Sequence, residues 1–167
     1  MNFNNNTRRF IQIIDKIPMF QGLKPVQALE ILKVCKPRGF SDRETLCKHG
    51  TRSTEMYVLL SGKLVVTAID GTPLTQLSPI TIVGEMGLVT GSPRSANVMA
   101  SQQVSVFEIS KLKFDVLMKK SPDIGFRIYR NIIHILSERL ENNNHQLAQS
   151  QRSLASMKEK VAAFPAV

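Results

Sequence analysis

The chain has 167 residues, room for one domain with appendages. At 43% hydrophobic and 21% charged it holds enough apolar material for a core and lacks the composition of a disordered polymer. A formal charge of +9 suits anionic partners, but the basic residues fall in separate clusters (Arg8-Arg9, Lys36 with Arg38, Lys111 with Lys113, Lys119-Lys120), which describes a solvated basic surface at least as well as a polyanion site.

The Asn-rich start, Met1 to Thr7, is polar and expected to fray. It has none of the apolar core of a signal peptide. From Arg8 to Ile17 the residues Phe10, Ile11, Ile13, Ile14 and Ile17 recur at helical spacing, and Pro18 ends the helix. A second helix is expected over Pro25 to Val34, with Ala28, Leu29, Leu32 and Val34 as its buried stripe. Two cysteines, Cys35 and Cys47, are too few for a disulfide framework and have no metal-ligand partner nearby. They read as reduced, partly buried thiols of a cytoplasmic protein.

The texture changes after Pro37. Short apolar runs follow one another to Ile109: Met56 to Leu60, Lys63 to Ile69, Leu74 to Leu77, Ile80 to Val83, Ala96 to Ala100 and Val104 to Ile109. Ser61-Gly62 splits the first two, and Asp70-Gly71 is a strong hairpin signal. Many short strands at regular spacing predict a small antiparallel barrel or roll. Helix returns over Lys111 to Lys119, with Leu112, Val116 and Leu117 as its apolar positions. Ser121-Pro122-Asp123 then has the cap, the proline and the first-turn acid of a helix start.

The last helix carries a register to Val161. Phe126, Ile133, Leu140, Leu147, Leu154 and Val161 lie seven apart, and Tyr129, Leu136, Asn143, Ser150 and Met157 take the positions three residues after the first five. That is an a/d seam with two polar d positions. For its first half, folding onto the chain's own domain and pairing with another chain both remain open. For the half beyond Asn144 the alternatives are a coiled coil and a loose polar tail, with Asn142-Asn143-Asn144 weakening any coil locally. No run reaches the ~18 apolar residues of a spanning helix.

One constellation carries chemistry. Gly84-Glu85 lies at the end of a strand, Pro93-Arg94-Ser95-Ala96 begins the next, and the short link between them, Met86 to Ser92, has room for one helical turn. Small residues crowd it: Gly84, Gly87, Gly91, Ser92, Ser95 and Ala96. They let backbone N–H groups approach an anion, and a turn there aims its N-terminus the same way. Arg94 supplies a cationic fork suited to phosphate. Glu85, acceptor-only when ionised, takes hydrogen bonds from a sugar hydroxyl. Spacing alone leaves two readings open, a nucleotide site and a structural salt bridge between these two residues.

Gly84-Glu85-Met86-Gly87-Leu88 followed by Pro93-Arg94-Ser95-Ala96 resembles the phosphate-binding cassette of cyclic-nucleotide-binding domains. The similarity runs from about Ile17 to Leu140 and includes the spaced glycines Gly50 and Gly62. The segment from Ser121 on is similar to the long dimer helix of the bacterial cAMP receptor protein. The resemblance implies an α+β fold, an antiparallel, jelly-roll-like β-roll flanked by N-terminal helices and a long C-terminal helix. The expected organisation is an N-terminal segment and helix (1–17), the β-roll (18–120), a coiled-coil dimer helix (121–161) and a tail (162–167). It also implies roles. Glu85 holds the ribose 2′-hydroxyl, Arg94 pairs with the cyclic phosphate and Ser95 donates to it. The amides of Met86 and Ala96 line the cradle beside Gly84, and Val83 lies near the base. The two adenine-contacting positions of the dimer helix fall on Arg139 and Leu140, which lack the family's small hydroxyl pair. Arg139 then stacks on the purine or bonds its edge, or is equally a solvated helix arginine. Ile80-Thr81 stands where the family usually has Gly-Asp. Too few residues follow Leu140 for a helix-turn-helix unit, so sequence-specific DNA binding is not expected.

There is no Gly-x-Ser-x-Gly elbow and no Walker loop, and His49, His134 and His145 have no metal spacing. The expected function is therefore not enzymatic. It is a cytoplasmic, homodimeric sensor of cAMP, with cGMP as the other ligand, acting on an effector the sequence does not name. The alternative is a scaffolding dimerisation module of the same fold that has lost its ligand. A nucleic-acid binder is a third reading, which no basic stripe or reading helix supports.

Overall fold

The computed structural model describes residues 5–162; of the fraying expected over residues 1–7, residues 1–4 lie outside the described residues, as does the end of the tail, 163–167, whereas residues 5–7 are not frayed but form the start of the first helix. Two units are formed, one ending at Ile132 and one beginning at Ile133. The first contains every described strand. In chain order the elements are α1 (Asn5–Lys16), a 3-10 turn (Pro18–Phe20), α2 (Pro25–Leu32), β1 (Cys35–Phe40), β2 (Thr45–Cys47), β3 (Glu55–Ser61), β4 (Leu64–Thr67), β5 (Pro73–Leu77), β6 (Thr81–Val83), α3 (Glu85–Thr90), β7 (Asn97–Ala100), β8 (Val104–Ser110), α4 (Lys111–Lys120) and α5 (Pro122–Ala162).

Pro18 stops α1 as expected, with Ile17 extended before it. Pro25 opens α2, where the Gln27 side chain accepts from the Lys24 N–H at 2.8 Å. This helix is shorter than its pattern predicts. Ala28 and Ile31 are its buried residues, while Leu29, Leu32 and Val34 are half-buried.

The strands form two antiparallel four-stranded sheets, ordered β1-β8-β3-β6 and β2-β7-β4-β5. Asp70-Gly71 makes the predicted hairpin between β4 and β5. The Gly71 N–H donates to Ala68 O at 3.1 Å and the Asp70 carboxylate accepts from the Thr72 N–H at 2.9 Å. That Thr72 bond holds the Asp70 carboxyl below its ordinary range. Ser61-Gly62, by contrast, carries the chain from one sheet to the other. Gly62 has φ +89°, and a Cβ there would lie 2.5 Å from Gln103 O and 2.6 Å from Val104 Cγ1.

Phe40, Leu46, Tyr57, Leu59, Leu64, Val98 and Val106, with their neighbours, fill the space between the sheets. Met56, Val58, Ile82, Phe107 and Ile109 alternate with them and are buried as well. Both faces of β3, inside that first sheet, are therefore covered. Helices α2, α3 and α4 lie against β1, β3 and β8.

In α4 the buried residues are Phe114, Leu117 and Met118, whereas Leu112 and Val116 face solvent. The buried stripe is rotated from the predicted one because Phe114 meets Tyr129 edge-on, with ring centroids 6.0 Å apart. The part of α5 in the first unit buries Ile124, Ile128 and Ile132, four apart. The Asn131 side chain donates to Met19 O at 3.1 Å and Gln21 O at 3.0 Å, tying α5 to the 3-10 turn. Phe126 lies on the opposite face and is exposed. In the second unit Ile133, Leu140, Leu147, Leu154, Met157 and Val161 are all more than half exposed. Among the described residues no helix is long and apolar enough to cross a membrane.

Candidate functional site

Strand β6 ends at Val83 and is followed by Gly84, whose φ of +84° a side chain would resist. Helix α3 follows at once and is closed by Gly91 at φ +73°, with the Gly91 N–H donating to Gly87 O at 2.9 Å. The chain then returns through Ser92 and Pro93 to Arg94. There the Arg94 N–H donates to Thr51 O at 2.9 Å, and the Gly50 N–H donates to Arg94 O at 2.8 Å. Two backbone bonds thus fix the arginine against the loop before β3.

The Arg94 side chain runs inward, leaving the residue 7% exposed. Its guanidinium carbon stands 5.9 Å from the centre of the Tyr57 ring. Its Nη2 is 3.6 Å from Glu55 Oε2, close enough for an ion pair but too far for a hydrogen bond. Its Nη1 is buried and makes no hydrogen bond within the protein. Gly84 is what allows this placement, since a Cβ on it would collide with Arg94 Nη1. A second close approach lies one turn on, where a Cβ on Gly87 would meet Ser53 Oγ. That hydroxyl is also buried without a hydrogen bond.

Glu85 opens α3 and is 4% exposed. Of the other residues singled out in the sequence, Val83 is buried in the roll, Ala96 is half-buried, and Met86 and Ser95 are exposed. The fold therefore gathers Val83, Gly84, Glu85, Met86, Arg94, Ser95 and Ala96 at one turn. Arg139 and Leu140 belong to the second unit, where Arg139 is half-buried and Leu140 is exposed. Ile80 is half-buried just before β6, and Thr81 is its first residue.

Sequence reasoning missed Glu55, Tyr57 and Ser53. Nothing local marks them, because antiparallel pairing of β3 with β6 carries this strand to the cassette. Lys111 was read only as a surface charge. Its Nζ donates to Leu88 O at 2.7 Å and pairs with Asp115 at 3.2 Å, while its N–H donates to Thr54 O at 2.8 Å. One residue thus joins α3, α4 and the start of β3.

Burial shapes the local chemistry. Desolvation, reinforced by Glu55 and Cys47, pushes the Tyr57 hydroxyl up to about 12. Burial also raises the Cys47 thiol against the opposing pull of Arg94, and it pushes the Cys35 thiol up to about 12. Both shifts disfavour the thiolate, the reactive form of cysteine. The arginine is different. A buried cationic fork with an unbonded donor fits an anionic oxygen acceptor.

An antiparallel roll holding a buried arginine, a buried glutamate and a left-handed glycine at one turn has the build of an anion-binding module. The chain belongs to the cyclic nucleotide-binding domain family, which it matches over residues 37–121. It is 29% identical over 122 residues to a cyclic nucleotide-gated potassium channel of Rhizobium etli, covering 73% of this chain and 34% of the channel. It is 24% identical over 141 residues to a CRP-like cAMP-activated global transcriptional regulator of Mycobacterium tuberculosis, covering 82% of this chain and 61% of the regulator. Among solved structures it resembles a cyclic nucleotide-binding domain from Methylobacillus flagellatus. That likeness has a TM-score of 0.76 at 18% identity and covers 87% of this chain and 84% of the other, a likeness of fold. The chain spans about a third of the length of two rhizobial channels that it matches.

Proposed function

We propose that this chain is a regulatory module that binds a cyclic purine nucleotide, cAMP in the first place, and passes the event on through α5. The observation that carries the reading is the Arg94 guanidinium, almost fully buried yet with an unbonded Nη1. Burying such a donor without a partner costs about 1–3 kcal/mol, which an anionic oxygen would recover. In this reading Arg94 and Ser95 hold the cyclic phosphate and the amides of Met86 and Ala96 line its cradle. Gly84 gives it access, Glu85 takes the ribose hydroxyl, and Val83 borders the base. The resemblance puts the base-contacting positions at Arg139 and Leu140, which do not reproduce the family's hydroxyl pair, so base choice is the least determined part of this reading. The domain limits are those expected from the sequence, with the roll over 18–120 and the dimer helix over 121–161. The module is a binder and not an enzyme, and its unpaired thiols suit the cytoplasm.

A ligand that binds the folded state at a hundredfold excess over Kd stabilises it by ~2.7 kcal/mol. A thermal-unfolding series with cAMP, cGMP and AMP is therefore expected to show a rise in Tm with the cyclic nucleotides, largest for cAMP, at micromolar concentrations. No shift with any of them would support the scaffolding alternative.

The exposed seam of α5 supports a homodimer. Leu140, Leu147, Leu154 and Val161 keep heptad spacing on a face that is more than half exposed in the single chain. Sedimentation velocity is expected to give a two-chain species that a Leu147→Lys, Leu154→Lys variant loses. A wild-type monomer at tens of micromolar would sink the dimer.

A further inference from the structure

We infer that Glu55 is an internal competitor for the ligand's phosphate, a residue that weakens affinity by sharing Arg94. The inference rests on the ligand reading above and concerns how that same site is tuned. Arg94 and Glu55 face each other at 3.6 Å, with the arginine side chain 6% and the glutamate side chain 35% exposed. The Thr54 hydroxyl donates to the other Glu55 oxygen at 2.6 Å, which aims the carboxylate. The pair is electrostatically formed but not hydrogen-bonded, so it compensates the buried charge while leaving the guanidinium donors under-used.

An anion that bonds Arg94 meets this carboxylate in one of two ways. Either Glu55 stays, and two negative charges share one cation within a few ångströms in a partly desolvated site, or Glu55 swings out, and its ion pair is lost. Both outcomes subtract from binding. The exposed side of Glu55 makes the second route open, since water receives the displaced carboxylate. Glutamine at this position keeps the size, still accepts from the Thr54 hydroxyl and removes the charge.

The test is isothermal titration of the full chain and its Glu55→Gln variant with cAMP and with cGMP. Glu55→Gln is expected to bind either nucleotide about tenfold more tightly, which corresponds to about 1.4 kcal/mol. Unchanged or weaker binding by Glu55→Gln, with wild type binding normally, overturns the inference and makes Glu55 a support that positions Arg94. Glu55→Asp, which withdraws the carboxylate by one methylene, is expected to fall between the two; a variant weaker than wild type counts against competition in the same way. If neither wild type nor Glu55→Gln binds a cyclic nucleotide while both are folded by circular dichroism, the ligand reading itself fails, and this inference with it.

Discussion

Replacing Arg94 with alanine is expected to weaken cyclic-nucleotide binding by about 1.5–3 kcal/mol, the usual worth of a hydrogen bond to a charged group. The loss is one of binding rather than of folding. The backbone bonds of residue 94 to Thr51 and Gly50 do not involve the side chain and persist. Removing the side chain also removes a buried donor that has no partner, which offsets part of the lost packing on Tyr57. Glu55, a third exposed, is left to hydrate. Stability is therefore expected to move by less than about 1 kcal/mol, within the ordinary range of single substitutions. Titration calorimetry and urea unfolding on the same preparations separate the two quantities. Unchanged affinity would remove Arg94 from the site, whereas a large stability loss would make it a structural residue first.

The larger effect on the fold is expected at Phe114. Its ring is fully buried and meets Tyr129 edge-on, so it joins α4 to the first turns of α5. Truncating a buried phenylalanine to alanine costs about 3–5 kcal/mol, the transfer free energy of the ring plus the cavity it leaves. Urea unfolding of Phe114→Ala should show a lower midpoint at unchanged slope. A loss below 1 kcal/mol would mean that the junction closes over the gap and that the ring does not hold it.

Much of this architecture was legible in the sequence, for reasons that differ by element. The runs that became β3, β7 and β8 were visible because each is long enough to alternate or is buried on both faces. The β4–β5 hairpin was announced by Asp70-Gly71. Strand β1 was hidden by its own residues. Lys36, Pro37, Arg38 and Gly39 are all exposed and read as a loop, yet the outer position in the sheet tolerates them. Strand β2 spans three residues and gives no periodic signal. Ser61-Gly62 looked like any turn, since whether a chain folds back or crosses to the second sheet depends on contacts such as Gly62 against Gln103 and Val104.

The site divides in the same way. The residues from Val83 to Ala96 are contiguous, so their gathering at one turn follows from local chain geometry. Glu55 and Tyr57 lie far upstream of Arg94 and reach it only through strand pairing, which spacing does not reveal. The stripes of α2 and α4 were each displaced, toward Ile31 and toward Phe114. An apolar period names a face but not the side on which the neighbouring element will stand.

The proline in β1 has a consequence for how this protein associates. A sheet rim is a row of unsatisfied hydrogen-bonding groups, open to strands of any other chain. Here the rim strand β1 carries Pro37, which contributes no N–H, flanked by the exposed cations Lys36 and Arg38. This rim thus resists indiscriminate strand-to-strand adhesion, while α5 displays an apolar row at regular heptad intervals. In the dimer proposed above, association would then run through side chains, where register and partner are selectable, rather than through this backbone rim.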